Sequence, residues 1–198
     1  MFENFRLNML NREAASSKNK PLRIIKQLDI QNGDIVGDIG TGGGYFSFEF
    51  SRRVGKNGMV YSIDTNQKAL EFIDVNLKKE GISNIKTVLA NENGLELPEK
   101  VDLFFLRNVF HHLSEPIEYF MNISQYLKDE GKIAIIDYKK RGFSFTGLFG
   151  HYTPEKVLID IMDKSGFALF EKFDFLSEHS FMTFKKKWLK IYHINLKK

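Results

Sequence analysis

The 198-residue sequence contains no cysteine, only four prolines and one tryptophan. The absence of cysteine excludes disulfide bonds, thiolate metal ligands and cysteine nucleophiles. No apolar run approaches the ~18 residues that a membrane span requires, and residues 1–19 lack the apolar core of a secretory signal. We therefore expect a cytoplasmic protein with no membrane span and no bound metal ion.

The net charge of +4 is unevenly distributed along the chain. Residues 185–198 contain lysines and no acidic residue, whereas acids slightly outnumber bases in the rest. Proteins that bind nucleic acid usually spread basic residues over a face that contacts several phosphates. That pattern is missing, so we expect no nucleic-acid partner.

The chain alternates short apolar runs with longer amphipathic stretches, which is typical of βα units. Strands are predicted at residues 35–39, 59–63, 85–89, 101–106 and 132–137. Helices are predicted at residues 21–28, 45–54, 66–80, 116–127 and 154–165, with Thr65 as the cap of the third. Two further strands, at residues 167–175 and 181–187, should pair as an antiparallel hairpin.

One domain is expected, because 42% of the residues are hydrophobic and no linker interrupts the chain. The predicted fold class is α/β: a Rossmann-like, doubly wound sheet, mostly parallel with a C-terminal antiparallel hairpin, and with helices on both faces. We expect a helical segment at residues 1–34, a core at residues 35–187 and a basic tail at residues 188–198.

A glycine-rich turn follows the first predicted strand, at residues 38–44 (DIGTGGG). Gly40, Gly42 and Gly44 permit backbone conformations and close approaches that a side chain would block. The N–H groups at the start of the next helix can then face a polar ligand. Asp38 precedes the glycines, so its carboxylate would repel a pyrophosphate but suit an ammonium or sulfonium group.

Polar residues also follow the second and third predicted strands. Asp64 can accept hydrogen bonds from both hydroxyls of a ribose. Asn91 and Glu92 can accept from the exocyclic amine of adenine. Each residue could instead be a cap or a solvated loop residue, but all three fall at the edge where open α/β sheets bind ligands.

Residues 36–46 (VGDIGTGGGYF) resemble motif I of class I S-adenosylmethionine-dependent methyltransferases. Residues 60–64 (VYSID) resemble the acidic end of their second strand, and the likeness extends over about residues 20–185. The sequence is similar to the small-molecule group that includes the ubiquinone and menaquinone biosynthesis methyltransferases. Gly37 stands where these proteins usually have a larger apolar residue, so we expect loose packing there.

This resemblance implies S-adenosylmethionine as cofactor and a small, apolar or aromatic methyl acceptor. The methionine portion would lie against Asp38 and residues 40–44, including Thr41, and the backbone near Leu106 and Arg107 would receive its amino group. The ribose would bind Asp64 beside Thr65, and adenine would lie between Asn91 and Glu92.

His111 and His112 follow the fourth predicted strand and are candidate general bases, needed only if the acceptor must lose a proton. They could instead be structural. Further pocket candidates are Tyr138, His151 and Tyr152. The loop containing Phe143, Phe145 and Phe149 is expected to form a lid over the acceptor together with residues 1–34.

Three alternatives stay open on the residues alone. The first is an NAD-dependent oxidoreductase, in which the glycine-rich turn is expected to have the spacing G-x-G-x-x-G. The second is a methyltransferase for nucleic acid or protein, and the third is a catalytically silent module that binds S-adenosylmethionine. The identity of the acceptor, its target atom and the oligomeric state, including a homodimer, are also left open.

Overall fold

A computed structural model describes residues 2–91, 94–139 and 152–187. Its seven-stranded sheet has the order β3-β2-β1-β4-β5-β7-β6, and β1 to β5 run parallel. β7 is antiparallel to both β5 and β6. The predicted fold class, including the C-terminal hairpin, is confirmed.

The strands are β1 (Ile35–Ile39), β2 (Met59–Asp64), β3 (Ile85–Leu89), β4 (Val101–Arg107), β5 (Leu127–Tyr138), β6 (Phe167–Phe173) and β7 (His179–Lys186). The helices are α1 (Phe2–Ala15), α2 (Pro21–Gln27), α3 (Tyr45–Val54), α4 (Gln67–Glu80), α5 (Pro116–Ile123) and α6 (Glu155–Lys164). Short 3₁₀ turns lie at Ser17–Asn19, Phe110–His112 and Ser124–Tyr126.

The central strands are buried on both faces, as expected for a parallel sheet covered by helices. Phe104 and Phe105 are adjacent on β4, so their side chains point to opposite faces. Phe105 belongs to the apolar cluster beneath α3, and Phe104 belongs to the cluster beneath α5 and α6. Both side chains are fully buried, so β4 connects the two halves of the core.

Three predicted local features are wrong. Asn66, not Thr65, caps α4, because its side chain accepts a hydrogen bond from the backbone N–H of Lys68. The helix predicted through residue 127 ends at Ile123 and continues as a 3₁₀ turn. β5 begins at Leu127 rather than at residue 132, and its pairing with β4 is irregular at that end.

Helix α1 packs against α3 and α4, and its side chains Leu7 and Ala14 are buried. Its apolar residues Phe2, Phe5 and Met9 are exposed. Among the described residues, no helix is both long and apolar enough to cross a membrane. Packing against the core therefore buries only one side of α1.

The expectation of loose packing at Gly37 is also wrong. A Cβ atom built on Gly37 would lie 2.6 Å from Cδ1 of Phe104, on the neighbouring strand. The aromatic ring therefore occupies the space that a side chain at position 37 would need. Gly37 and Phe104 are therefore complementary in size across the β1–β4 pair.

We predict that Gly37→Ala lowers the free energy of unfolding by ~1–3 kcal/mol, because the methyl group overpacks this contact. Urea unfolding at fixed pH measures the change. A double-mutant cycle with Phe104→Leu tests the cause. The double variant should lose at least ~0.5 kcal/mol less unfolding free energy than the sum of the losses in the two single variants. Additive costs would show that Phe104 does not cause the strain.

Candidate active site

A cavity of about 540 Å³ opens at the carboxyl ends of β1, β2, β4 and β5. One wall is the glycine-rich turn, from Gly40 to Gly43, followed by the first residues of α3. Helix α1 forms the opposite wall, and the turn after β4 forms the floor. The cavity is thus built from segments that are far apart in sequence and meet at one edge of the sheet.

A second cavity of about 300 Å³ lies beside the first, at the ends of β2 and β3. Thr65, Asn91 and Tyr119 line it. The two cavities share the lining residues Gly40, Asp64, Val109 and His112. An elongated ligand can therefore extend from one to the other past Asp64.

Asp38 lies beneath the glycine-rich turn and is almost fully buried. Its Oδ2 accepts hydrogen bonds from the hydroxyls of Ser47, at 2.6 Å, and Thr41, at 3.1 Å. Burial raises the pKa of this carboxyl to about 6; the two hydroxyls oppose the shift and the nearby charge of Asp64 adds to it. Asp38 lines neither cavity, so it acts on a ligand through its charge and through the turn it supports.

The Asp64 side chain connects the end of β2 to the glycine-rich turn that follows β1. Its Oδ2 accepts a hydrogen bond from the backbone N–H of Gly42 at 3.0 Å, and its Oδ1 accepts from that of Asn66 at 2.9 Å. Gly42 has φ = +54°, a left-handed conformation that favours glycine. The carboxylate thereby fixes the turn while lining both cavities.

The positive charges in the larger cavity have carboxylate partners. Arg107 forms a two-pronged ion pair with Glu13 of α1, with N–O distances of 3.0 and 3.1 Å. Arg6 pairs with Glu3 on α1. Asp38 and Asp64, by contrast, are held by hydroxyl and backbone N–H groups, so the site favours a ligand that carries positive charge.

Helix α1 is attached directly to the glycine-rich turn. The Asn11 side chain donates to the carbonyl oxygen of Gly43 at 2.8 Å and accepts from the backbone N–H of Tyr45 at 3.1 Å. The Asn66 side chain donates to Glu3 at 2.9 Å. With the Glu13–Arg107 pair, these contacts hold α1 across the opening of the site.

His111 and His112 lie in the 3₁₀ turn after β4, with ring centroids 4.0 Å apart. Nδ1 of His111 is 2.6 Å from Oδ1 of Asp137, a fully buried residue near the end of β5. His111, His112 and Tyr138 are among the residues that line the larger cavity. Both histidines that the sequence offers as candidate bases therefore lie at the larger cavity, and His111 is held by a buried acidic residue.

The structure brings most of the predicted site residues together. Those lining one or both cavities are Gly40, Thr41, Gly42, Asp64, Thr65, Asn91, Arg107, His111 and His112. Leu106 is buried in the core, and Gly44, with φ = +88°, caps the N-terminus of α3 behind the turn. Glu92, the loop with Phe143, Phe145 and Phe149, His151 and the basic tail lie outside the described residues.

Sequence reasoning missed Asn11, Glu13 and Asp137. No local pattern marks Asn11 or Glu13, because both lie on a helix whose position depends on tertiary packing. A local signal does mark Asp137, because it is an acidic residue directly after the apolar run at residues 133–136, near the end of a strand.

The fold and the site together define a Rossmann-like domain that binds a nucleoside-type ligand at the carboxyl edge of its sheet. The methyltransferase domain family matches residues 30–187 of the chain. The chain therefore belongs to the methyltransferase domain family, and its identification as a class I S-adenosylmethionine-dependent methyltransferase is confirmed at the level of family and fold.

Curated relatives match parts of the chain. A ubiquinone/menaquinone biosynthesis C-methyltransferase of a Marinomonas species is 28% identical over 118 residues, covering 59% of this chain and 47% of the relative. A probable cobalt-precorrin-6B C(15)-methyltransferase of Saccharolobus solfataricus is 33% identical over 116 residues, 57% of this chain and 56% of the relative. The chain thus spans about half the length of these relatives, and their acceptors differ.

Solved structures agree on the fold. A SAM-dependent methyltransferase from Aquifex aeolicus superposes with a TM-score of 0.80 at 24% identity, covering 91% of this chain and 97% of that one. A TehB-like SAM-dependent methyltransferase from Corynebacterium glutamicum superposes with a TM-score of 0.64 at 20% identity, covering 93% and 97%. The seven-stranded architecture is shared along nearly the whole chain.

We predict that Asp38 makes the free energy of unfolding depend on pH. Because its pKa is higher in the folded protein than in the unfolded chain, the folded state binds the proton more tightly. Its contribution to stability should therefore decrease as the pH rises from about 4 through about 6. Urea unfolding of the wild type and Asp38→Asn across this range should show the variant gaining relative stability with pH. Parallel profiles would contradict the prediction.

Proposed function

We propose that this protein transfers a methyl group from S-adenosylmethionine to a small, apolar or aromatic acceptor. The observation that carries the proposal is the carboxylate of Asp64, which lines both adjoining cavities, together with the buried carboxylate of Asp38 beneath the glycine-rich turn, while the arginines of the larger cavity are already paired. A negative site of this shape suits a nucleoside that bears ammonium and sulfonium groups, and it disfavours the pyrophosphate of NAD.

The described residues fit such a cofactor. The smaller cavity would take the adenosine, with the Asp64 carboxylate accepting from the ribose hydroxyls beside Thr65 and Asn91. The methionine portion would lie along Gly40 to Gly43, where the backbone approaches closely because side chains are absent. A Cβ atom on Gly40 would lie 2.2 Å from Cγ2 of Val109, so this position accepts glycine alone.

S-adenosylmethionine, when bound, supplies an electrophilic methyl group on its sulfonium. The protein then has to orient the acceptor and exclude water, and orientation alone contributes up to ~7–11 kcal/mol in favourable cases. Helix α1 serves this purpose, since Leu10, Asn11 and Ala14 cover the cavity. His111 and His112 line the same cavity and are the proposed bases for an acceptor that must lose a proton.

The size and composition of the remaining space support a small acceptor. The larger cavity must hold part of the cofactor as well as the acceptor, which leaves room for a compound of limited size. Phe46, Tyr138 and the two imidazole rings line that space. Flat ring-bearing side chains of this kind support an apolar or aromatic acceptor.

Calorimetric titration tests the cofactor, and transfer of a labelled methyl group to a panel of small acceptors tests the reaction. Binding of S-adenosylmethionine and S-adenosylhomocysteine, followed by labelled product, is the expected result. Enhanced nicotinamide fluorescence on mixing with reduced NAD would favour the oxidoreductase instead. Cofactor binding without transfer to any acceptor would favour a silent binding module.

We predict that Asp64→Ala weakens the binding of S-adenosylmethionine at least tenfold, or ~1.5 kcal/mol, because it removes charge-assisted hydrogen bonds to the ribose. Calorimetry measures the dissociation constant. Asp64→Asn keeps one acceptor oxygen and should give an intermediate loss. Asp74→Ala is the control, since Asp74 contacts Thr87 away from both cavities. Wild-type affinity in Asp64→Ala would contradict the ribose assignment.

We predict that Asn11→Ala speeds the release of S-adenosylmethionine about three- to tenfold, because it removes two hydrogen bonds between α1 and the glycine-rich turn. Stopped-flow dissociation measures the rate. Asn8→Ala is the matched control: the Asn8 amide, on the same helix, donates to the carbonyl oxygen of Asn4. Equal release rates in the two variants would show that α1 does not cover the bound cofactor.

A further inference from the structure

We infer that Ser47 and Ser62 are positioning residues that keep Asp38 negatively charged beneath the glycine-rich turn, and that they thereby set the affinity of the site for a cationic nucleoside. The inference rests on the proposed function and adds to it two residues that act on the ligand through Asp38. It depends on a chain of buried hydroxyl groups between β2 and α3.

Three hydroxyl groups form this chain. Ser62, which lies beside Asp38 in the register of β1 and β2, donates to Oγ of Ser47 at 2.6 Å. The Ser47 hydroxyl in turn donates to Oδ2 of Asp38 at 2.6 Å. The Thr41 hydroxyl lies 2.9 Å from Oγ of Ser47 and 3.1 Å from Oδ2 of Asp38. Both serines are fully buried, so the chain belongs to the interior of the protein.

The charge of Asp38 fixes the direction of the chain. An ionised carboxylate can only accept hydrogen bonds, and each hydroxyl has one hydrogen to donate. Ser47 therefore gives its hydrogen to Asp38, and Ser62 gives its own to Ser47. Protonation of Oδ2 of Asp38 would place a second hydrogen between that atom and Ser47. The observed arrangement thus fits the charged form of Asp38.

The chain interrupts an otherwise apolar interior. Ile63 follows Ser62 in β2, Phe46 precedes Ser47 in α3, and both of these apolar side chains are buried. Burial of a hydroxyl costs free energy unless the group is hydrogen-bonded. A hydrogen bond to an ionised group is about twice as strong as one between neutral groups, and bonds in a chain polarise one another. The two serines are therefore better explained by their effect on the Asp38 carboxylate than by packing.

The remaining surroundings of Asp38 work against its charge. Burial raises the pKa of Asp38 to about 6, and the negative charge of Asp64, at the end of β2, adds to the rise. The hydroxyls of Ser47 and Thr41 and the backbone N–H of Ser47 oppose it. The carboxylate is therefore ionised at neutral pH by a narrow margin, which the hydroxyl groups help to set.

The strand on the other side of Asp38 supplies no compensating charge. β4 places Phe105 beside Asp38 in the sheet register. Arg107, at the end of β4, is paired with Glu13. In the part of the chain that the structure describes, hydrogen-bond donors rather than a cation therefore favour the charged form of Asp38.

This charge matters for a cationic ligand. Asp38 lines neither cavity, so it acts on the ligand as a charge beneath the turn. A nucleoside that bears ammonium and sulfonium groups binds the ionised form more tightly, and its apparent affinity falls with the fraction of protein in that form. The hydroxyl chain therefore sets the pH below which the affinity declines. Removal of a hydroxyl should move that limit to higher pH.

The first test measures the titration of Asp38 by ¹³C NMR of its carboxyl group and requires no ligand. Asp38→Asn identifies the resonance. In Ser47→Ala the midpoint should rise by about one pH unit, because a hydrogen bond to the charged form is lost, and in Ser62→Ala it should rise by less. The matched control is Ser51→Ala: Ser51 is a buried serine of the same helix whose hydroxyl donates to Asn84 at 2.6 Å. An unchanged midpoint in both serine variants would overturn the inference.

The second test measures the dissociation constant of S-adenosylmethionine by calorimetry at pH ~6 and pH ~8. A midpoint raised by about one pH unit lowers the ionised fraction of Asp38 at pH ~6 from about a half to about a tenth. Ser47→Ala should therefore bind about fivefold more weakly than the wild type at pH ~6 and approach it at pH ~8. In Asp38→Asn, which has no charge to lose, the added Ser47→Ala change should have the same effect at both pH values.

Each outcome has a distinct meaning. Equal loss of affinity at both pH values in Ser47→Ala would show that the serine only supports the turn, and unchanged affinity at both would show that the charge of Asp38 does not reach the ligand; either result overturns the inference. If the wild type does not bind S-adenosylmethionine, the proposed function itself fails, while the NMR titration still decides whether the serines hold the charge. Thermal unfolding verifies that each variant is folded, and Ser62→Ala serves for both tests if Ser47→Ala does not fold.

Discussion

The hydrogen bond from the backbone N–H of Gly42 to the carboxylate of Asp64 is the contact on which the site depends. It joins the turn after β1 to the end of β2, and it holds Gly42 in a left-handed conformation that favours glycine. The same carboxylate lines both cavities. One side chain therefore shapes the turn and presents the charge that a ligand would meet.

Charge pairing explains why this edge of the sheet suits a cationic ligand. Arg107 and Arg6 line the cavity, yet each is matched by a glutamate of α1. Asp38 and Asp64 have hydroxyl and backbone partners, which orient them without cancelling their charge. The higher pKa that burial gives Asp38 shows the energetic cost of keeping that charge under the turn.

Helix α1 gives the site its second wall. Its buried side chains Leu7 and Ala14 anchor it to the core, while Asn11 and Glu13 reach the turn and the end of β4. The contacts join residues more than thirty positions apart, such as Asn11 and Gly43. Helix α1 is thus held both by apolar burial and by polar contacts with the residues that surround the cavity.

The class of fold and much of the cofactor-binding edge of the sheet could be predicted from the amino-acid sequence. The five apolar runs, the turn at residues 38–44 and Asp64 are local signals, because strand patterning and glycine turns depend on neighbouring residues. The predictions were wrong for the residue that caps α4, for the first residue of β5 and for the packing at Gly37. These features depend on contacts with side chains and strands that are distant in sequence. Only the tertiary structure paired Asp137 with His111 and brought Glu13 to Arg107. These contacts arise when distant segments pack against one sheet, and one chain's sequence contains no periodic pattern that encodes them.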